Sequence, residues 1–354
     1  MGHFKRLDGI RGLLALYVML GHALPLTIAP AWAQSLFSHG EAGVDLFFAL
    51  SGLVIAFSLQ RFGGSFLPFI TARARRLLPV YFLTLAASIA IATLGDPLAS
   101  LPWAGTPARD IVSAALPTPL WPHLLAHLTL LHGLIPQPIL PYAYVTLLGP
   151  AWSLSTEWQF YLLIGLIAPR HLGRCALAFL ALGALWHALP YGPLFSRAFL
   201  PDAAPYFALG LASAAWLQDH RRSLLLCLLL CLLGAWAIGL AASPEKSLPP
   251  LIWGLLLLAQ SQNWGAILEH PALQYLGAIS YPLYLANEPV QRVLALVFGP
   301  AAHGNATLFT ALFIPNTIAF SLAAAALLHH GVERPCMRGG QKLLPPVIAQ
   351  PQSQ

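Results

Sequence analysis

Long apolar runs without a single charge dominate this chain, and they dictate the solvent in which it folds. Ser223–Ala242 and Leu308–Leu328 contain no Asp, Glu, Lys or Arg. A helix rises about 1.5 Å per residue, so each run covers the roughly 30 Å hydrocarbon core of a bilayer. Only 8% of the 354 residues are charged, where soluble domains carry about 25%, and mean hydropathy is +0.70. Such a chain lacks the charge to cover a soluble surface. Its 28 glycines and 31 prolines fit the same setting, since membrane helices tolerate both residues better than soluble helices do.

Hydropathy predicts spans near residues 10–28, 42–60, 77–95, 152–168, 175–190, 203–217, 223–242, 249–261, 274–297 and 307–330. The expected fold is therefore all-α, a polytopic transmembrane helix bundle of about ten spans. Basic residues orient it. With the N-terminus inside, the outer segments hold only Arg109, Arg197 and Lys246, Arg292 falls within a span, and all other Lys and Arg, Lys342 included, lie on inner segments. This asymmetry predicts both termini in the cytoplasm. Pro119–Ile135 is also apolar, but counting it as a span would invert everything after it. It is expected to be a re-entrant or interfacial piece of the long outer loop 96–151. Residues 1–340 read as one transmembrane domain and 341–354 as a short disordered tail, with no cleavable signal peptide.

The net charge of +6 is accounted for by this topology and is not taken as a nucleic-acid footprint. Cys227 and Cys231 lie one turn apart in an apolar run and are expected to pack, not to bridge. His123 and His127 have zinc-like i, i+4 spacing, but neither an HExxH pattern nor a nearby carboxylate accompanies them, so no metal is expected. Phosphate-loop, dinucleotide and nucleophile-elbow motifs are absent from the sequence.

Polar residues inside a membrane need a reason, because a charge at the bilayer centre costs about 2.5–3.5 kcal/mol on insertion scales. Arg11 and His22 are eleven residues apart, almost three helical turns, which puts both on one face with His22 roughly 16 Å further from the cytoplasm. Asp8 is placed to orient Arg11. Arg73, Arg75 and Arg76 form a cluster in the loop before span three, suited to phosphate through their guanidinium forks. Each feature also has a bland reading, as a topological anchor or lipid contact. Asp45 sits near the outer end of span two, where it reaches solvent. Glu157 lies in the outer leaflet part of span four. Glu288 and Arg292, one turn apart in span nine, are expected to pair.

The order of these blocks resembles membrane acyltransferase family 3. The resemblance runs through Leu7-Asp8-Gly9-Ile10-Arg11-Gly12 with His22, then Gly43 to Gly52, then Arg73-Ala74-Arg75-Arg76 with Leu78-Pro79-Val80-Tyr81. Trp152-Ser153-Leu154-Ser155-Thr156-Glu157-Trp158-Gln159-Phe160-Tyr161, Leu276 to Leu285, and Glu333-Arg334-Pro335 complete it. The resemblance implies O-acylation of a saccharide or other envelope or secreted molecule, in a bacterial cytoplasmic membrane, with acyl-CoA (acetyl-CoA by family frequency) as cytoplasmic co-substrate. It implies His22 and Glu157 as catalytic residues, Arg11, Arg73, Arg75 and Arg76 as donor-binding residues, and Asp45, Trp152 and Tyr161 as acceptor-binding residues. His22 is expected to act as general base, with Glu157 either orienting it or binding the acceptor, and an acyl-His22 intermediate stays open beside direct transfer. Two departures matter. Asn287 stands where the family often has His, so no proton-transfer role is assigned there. The fused extracytoplasmic domain of some members is not seen, so any second-step partner is expected to be a separate protein. A competing reading is a transporter of polar or lipid-linked substrates, but the inverted repeats of many such folds are not found.

Overall fold

Helix α1 (Lys5–Ala23) carries Arg11 and His22 without a break. A short helix, Ala31–Phe37, leads to α2 (Gly40–Arg61) and α3 (Phe66–Ala92). The outer connection contains the helix Leu120–Leu128. The chain continues through α4 (Ala151–Ile167), α5 (Leu172–Ala188), α6 (Leu200–Gln218), α7 (Arg222–Ala242) and α8 (Leu248–Ser261). After the short helix Pro271–Ala278 come α9 (Ser280–Ala301), α10 (Ala306–Leu328), a π-helical turn His329–Glu333 and a last helix Arg334–Gln341. This computed structural model describes residues 5–105, 108, 116–190, 194–262 and 264–341, and no strand occurs among them. Arg109, Lys342 and the expected tail beyond Gln341 lie outside the described residues.

Each expected span coincides with one of α1–α10. By length and composition, five segments suffice to cross a membrane: Lys5–Leu26, Ala31–Arg61, Phe66–Ala92, Arg222–Ala242 and Ala306–Arg338. The remaining helices are shorter or more polar; α8 has 14 residues, and α9 carries Glu288 and Arg292. The Leu120–Leu128 helix has nine residues, about 14 Å, which is half a hydrocarbon core.

Two boundaries differ from expectation. Span three extends back to Phe66, so Arg73, Arg75 and Arg76 sit inside a helix, not in a loop. Span nine breaks at Ile279, which separates Pro271–Ala278 from α9. The short helix then wedges against α1: a side chain at Gly12 would come within 2.7 Å of the Gly277 backbone nitrogen. That contact holds α1 where its polar face meets α9.

Helix α6 is almost wholly buried from Leu200 to Ala215. It touches α2 through backbone, since a Cβ at Gly210 would sit 2.1 Å from the Ala49 carbonyl oxygen. Small residues permit this approach, and membrane helices gain their packing energy from it. Helix α7 lies at the periphery. It buries a single stripe of Cys227, Cys231, Ala235 and Gly239 with Leu228, while Leu226, Leu230 and Leu233 are exposed to the lipid. Its two cysteines are free packing residues, as their spacing suggests.

Candidate active site

Five helices converge on one cavity of about 100 Å³. Helical periodicity selects its lining. Ser153, Glu157 and Tyr161 recur every fourth residue along α4, and Phe47, Ser51 and Ile55 do the same along α2. Helix α9 contributes Ser280, Tyr281 and Tyr284, α1 contributes Arg11, and α3 contributes Arg73, Arg76 and Leu77. The remaining wall is apolar.

The helical setting of the arginines decides which of them reach the cavity. Residues three apart share a helix face, so Arg73 and Arg76 both line it. Arg75, two positions from Arg73, points elsewhere and is not among the lining residues. The expected cluster of three is therefore two arginines from α3 plus Arg11 from α1. Arg11 lies 3.5 Å from Asp8, the orienting contact expected of that pair. Arg76 lies 3.7 Å from Glu333, whose other oxygen is 2.7 Å from His329 Nδ1.

Glu157 faces this basic wall. Ser51 Oγ donates to its carboxylate at 2.5 Å, and Tyr161 OH donates to the same oxygen. Arg11 and Arg73 are both near enough for the Glu157 charge to act on them. Beside Arg76, Tyr281 OH donates to the Leu77 carbonyl at 2.6 Å, and at the far end Ser153 Oγ and Tyr284 OH are 2.8 Å apart.

His22 is not in the cavity wall. Its Nδ1 lies 3.0 Å from Asn287 Oδ1. Asn287 is one turn beyond Tyr284 on α9, and its amide donates to the Tyr284 carbonyl at 2.6 Å. The histidine thus sits one helical turn, about 5 Å, past the end of the cavity. Glu157 is not its partner, because that carboxylate is held by Ser51 and Tyr161. The expected His22–Glu157 pairing is corrected to His22–Asn287. The reason is local: Asn287 on α9 stands beside His22, while Ser51 and Tyr161 engage Glu157.

Asp45 is also placed differently. It is 8% exposed, covered from α6 and the α7–α8 turn by Tyr206, Asp202 and Lys246, and does not line the cavity. Trp152 lies outside the cavity too, edge-on to Phe48 with the Arg197 guanidinium 4.7 Å above its ring. Arg197 also pairs with Glu41, and its charge reaches His22 and Tyr284. Of the histidines in the outer segment, His127 and His132 stack at 4.0 Å and direct Nε2 at the carbonyls of Ala143 and Ala151. Sequence reasoning had assigned no role to Ser51, Ser153, Tyr281, Tyr284 or Arg197. The four-residue rhythm of Ser153, Glu157 and Tyr161 was the available signal for the α4 face; for Arg197 there was none.

Comparison with known proteins finds relatives over most of the chain. The chain is 27% identical to the acyltransferase MdmB of Streptomyces mycarofaciens, over 84% of this chain and 81% of that protein. It is 28% identical to the exopolysaccharide production protein ExoZ of Rhizobium meliloti (strain 1021), over 86% of this chain and 92% of that protein. A shorter similarity, 34% over 44% of this chain and 76% of the relative, is to protein 2 in the picA locus of Rhizobium radiobacter. No solved structure matches the chain. Residues 4–329 match the family model described as an acyltransferase domain, acyltransferase family 3, and the chain belongs to that family of integral-membrane acyltransferase enzymes.

Proposed function

We propose that this protein is an O-acyltransferase of a bacterial cytoplasmic membrane, moving an acyl group, acetyl in the simplest case, from cytoplasmic acyl-CoA to a saccharide hydroxyl. The observation that carries this reading is the continuity of one cavity. Arg11, Arg73 and Arg76 stand at one end, Ser153 and Tyr284 at the other, and His22 one turn beyond. Guanidinium groups suit the phosphates of a CoA donor. Its thioester lies at the far end of a long flexible arm, which the narrow, largely apolar cavity accommodates. The arm then delivers the thioester towards His22, where the acceptor hydroxyl loses its proton.

The ten-span topology with both termini in the cytoplasm belongs to this reading. It puts the arginines on the donor side and Arg197 on the acceptor side. A saccharide acceptor is supported by the similarity to ExoZ, whose name ties it to exopolysaccharide production. Glu157 holds the hydroxyls of Ser51 and Tyr161 and sets the field around Arg11 and Arg73. Its role here is to shape the donor site, not to relay protons from His22.

The test is transfer from labelled acetyl-CoA in proteoliposomes, paired with mass spectrometry of envelope glycans. His22→Ala, inserted at normal levels, should lose transfer by at least about 100-fold while still binding the donor. Full transfer by that variant would remove His22 from the chemistry.

A further inference from the structure

Asn287 is the residue on which the reactivity of His22 turns, and its amide orientation is settled by its surroundings. The side chain is fully buried. Its Nδ2 donates to the carbonyl of Tyr284 at 2.6 Å and to that of Leu283 at 3.2 Å. The amide nitrogen is thereby committed to these two carbonyls. The reversed orientation would set Oδ1 against those same carbonyl oxygens, two acceptors face to face, at the cost of both bonds. Oδ1 must therefore face His22, and a carbonyl oxygen only accepts. It follows that His22 Nδ1, 3.0 Å away, carries a hydrogen.

We infer that Asn287 is a positioning residue that holds neutral His22 in its Nδ1–H form and so reserves Nε2 as the proton acceptor. The inference rests on the reading of His22 as general base. In a neutral imidazole only one ring nitrogen has a free lone pair, and the hydrogen bond made by the other decides which one. An imidazole free to interconvert would present the wrong nitrogen for part of the time.

The step then balances. The acceptor hydroxyl oxygen attacks the thioester carbon as its proton passes to Nε2, giving an imidazolium that keeps its Nδ1–H bond to Asn287. The carbon–sulfur bond breaks, the sulfur takes the proton from Nε2, and the products are an ester and free CoA thiol. No oxidant or further co-reactant is required. An asparagine oxygen is neutral, so it orients the ring without the charge attraction that a carboxylate would add.

The experiment has two arms. In the first, ¹⁵N-histidine-labelled full-length protein is examined by NMR, the His22 signals being those missing from His22→Gln. We expect a pyrrole-type Nδ1 and a pyridine-type Nε2 at neutral pH; the opposite pattern, or fast exchange between the two forms, overturns the inference. In the second, Asn287→Leu keeps the shape and removes the acceptor. It should lower kcat about tenfold with the acetyl-CoA KM unchanged, and should add no further loss to His22→Gln. A kcat equal to that of the unaltered protein overturns the inference. If Asn287→Leu fails to insert, the NMR arm decides alone. If His22→Gln retains transfer, the base reading fails while the ring form remains measurable, so the two failures are distinguishable.

Discussion

Two arginines buried in the same bundle, Arg292 and Arg73, are handled in opposite ways. Arg292 is 3% exposed and lies 3.3 Å from Glu288, one turn earlier on α9, itself 2% exposed. Its charge is met within its own helix and faces no cavity. Arg73 lines the cavity, makes no ion pair among the described residues, and feels the charge of Glu157, which is already held by Ser51 and Tyr161. Arg11 and Arg76 share the cavity, and each meets its carboxylate at 3.5 Å or more. A closed pair satisfies its own charge; an excess of cations around a cavity is poised for an anionic ligand. The comparison teaches that in a membrane protein a buried charge becomes informative only once its partner is known.

That contrast can be broken most forcefully at Glu288. Glu288→Ala removes the carboxylate that lies 3.3 Å from Arg292 and should destabilise the protein by about 3–5 kcal/mol, seen as a lower midpoint in detergent unfolding. Replacing both residues with methionine should recover most of the loss. If Glu288→Ala melts like the unaltered protein, the pair is not structural. Next in size is Arg73→Ala. It removes a charged hydrogen-bond donor from the cavity, so acyl-CoA affinity should fall by about 1.5–3 kcal/mol, more than tenfold, with little change in thermal stability. Equal affinity, measured by isothermal titration, would return this residue to a topological role. The smallest effect belongs to Arg75→Ala. This side chain points away from the cavity, and both affinity and stability should stay within about 0.5 kcal/mol. A loss matching that of Arg73→Ala would mean that the helix register seen here is not the working one.

Much of the architecture was legible before any coordinates. Hydropathy marks ten segments because lipid permits only helices whose backbone is satisfied internally, and each marked segment overlaps a helix, the ninth with a break at Ile279. The eleven-residue interval between Arg11 and His22 read correctly as one face, because α1 is unbroken. The Glu288–Arg292 pair was visible from spacing alone. Asp45 was misread, since its closeness to a helix end suggested solvent whereas Tyr206 and Lys246 cover it. The arginine cluster was read as a loop, and only when α3 begins at Phe66 does periodicity separate Arg75 from its neighbours. Local spacing predicts contacts within a helix, not what a neighbouring helix lays across its end.

By itself, then, the amino-acid order determined the solvent, the helices and which residues share a face, because these follow from hydrophobicity and a repeat of about 3.6 residues per turn. The tertiary structure alone decided the partners. The carboxylate of Glu157 goes to Ser51 and Tyr161, and His22 goes to Asn287 of α9. Those choices depend on which helices cross at what height, which glycine contacts such as Gly12 with Gly277 and Gly52 with Gly210 set across many residues of chain. No local pattern encodes a distance of that kind.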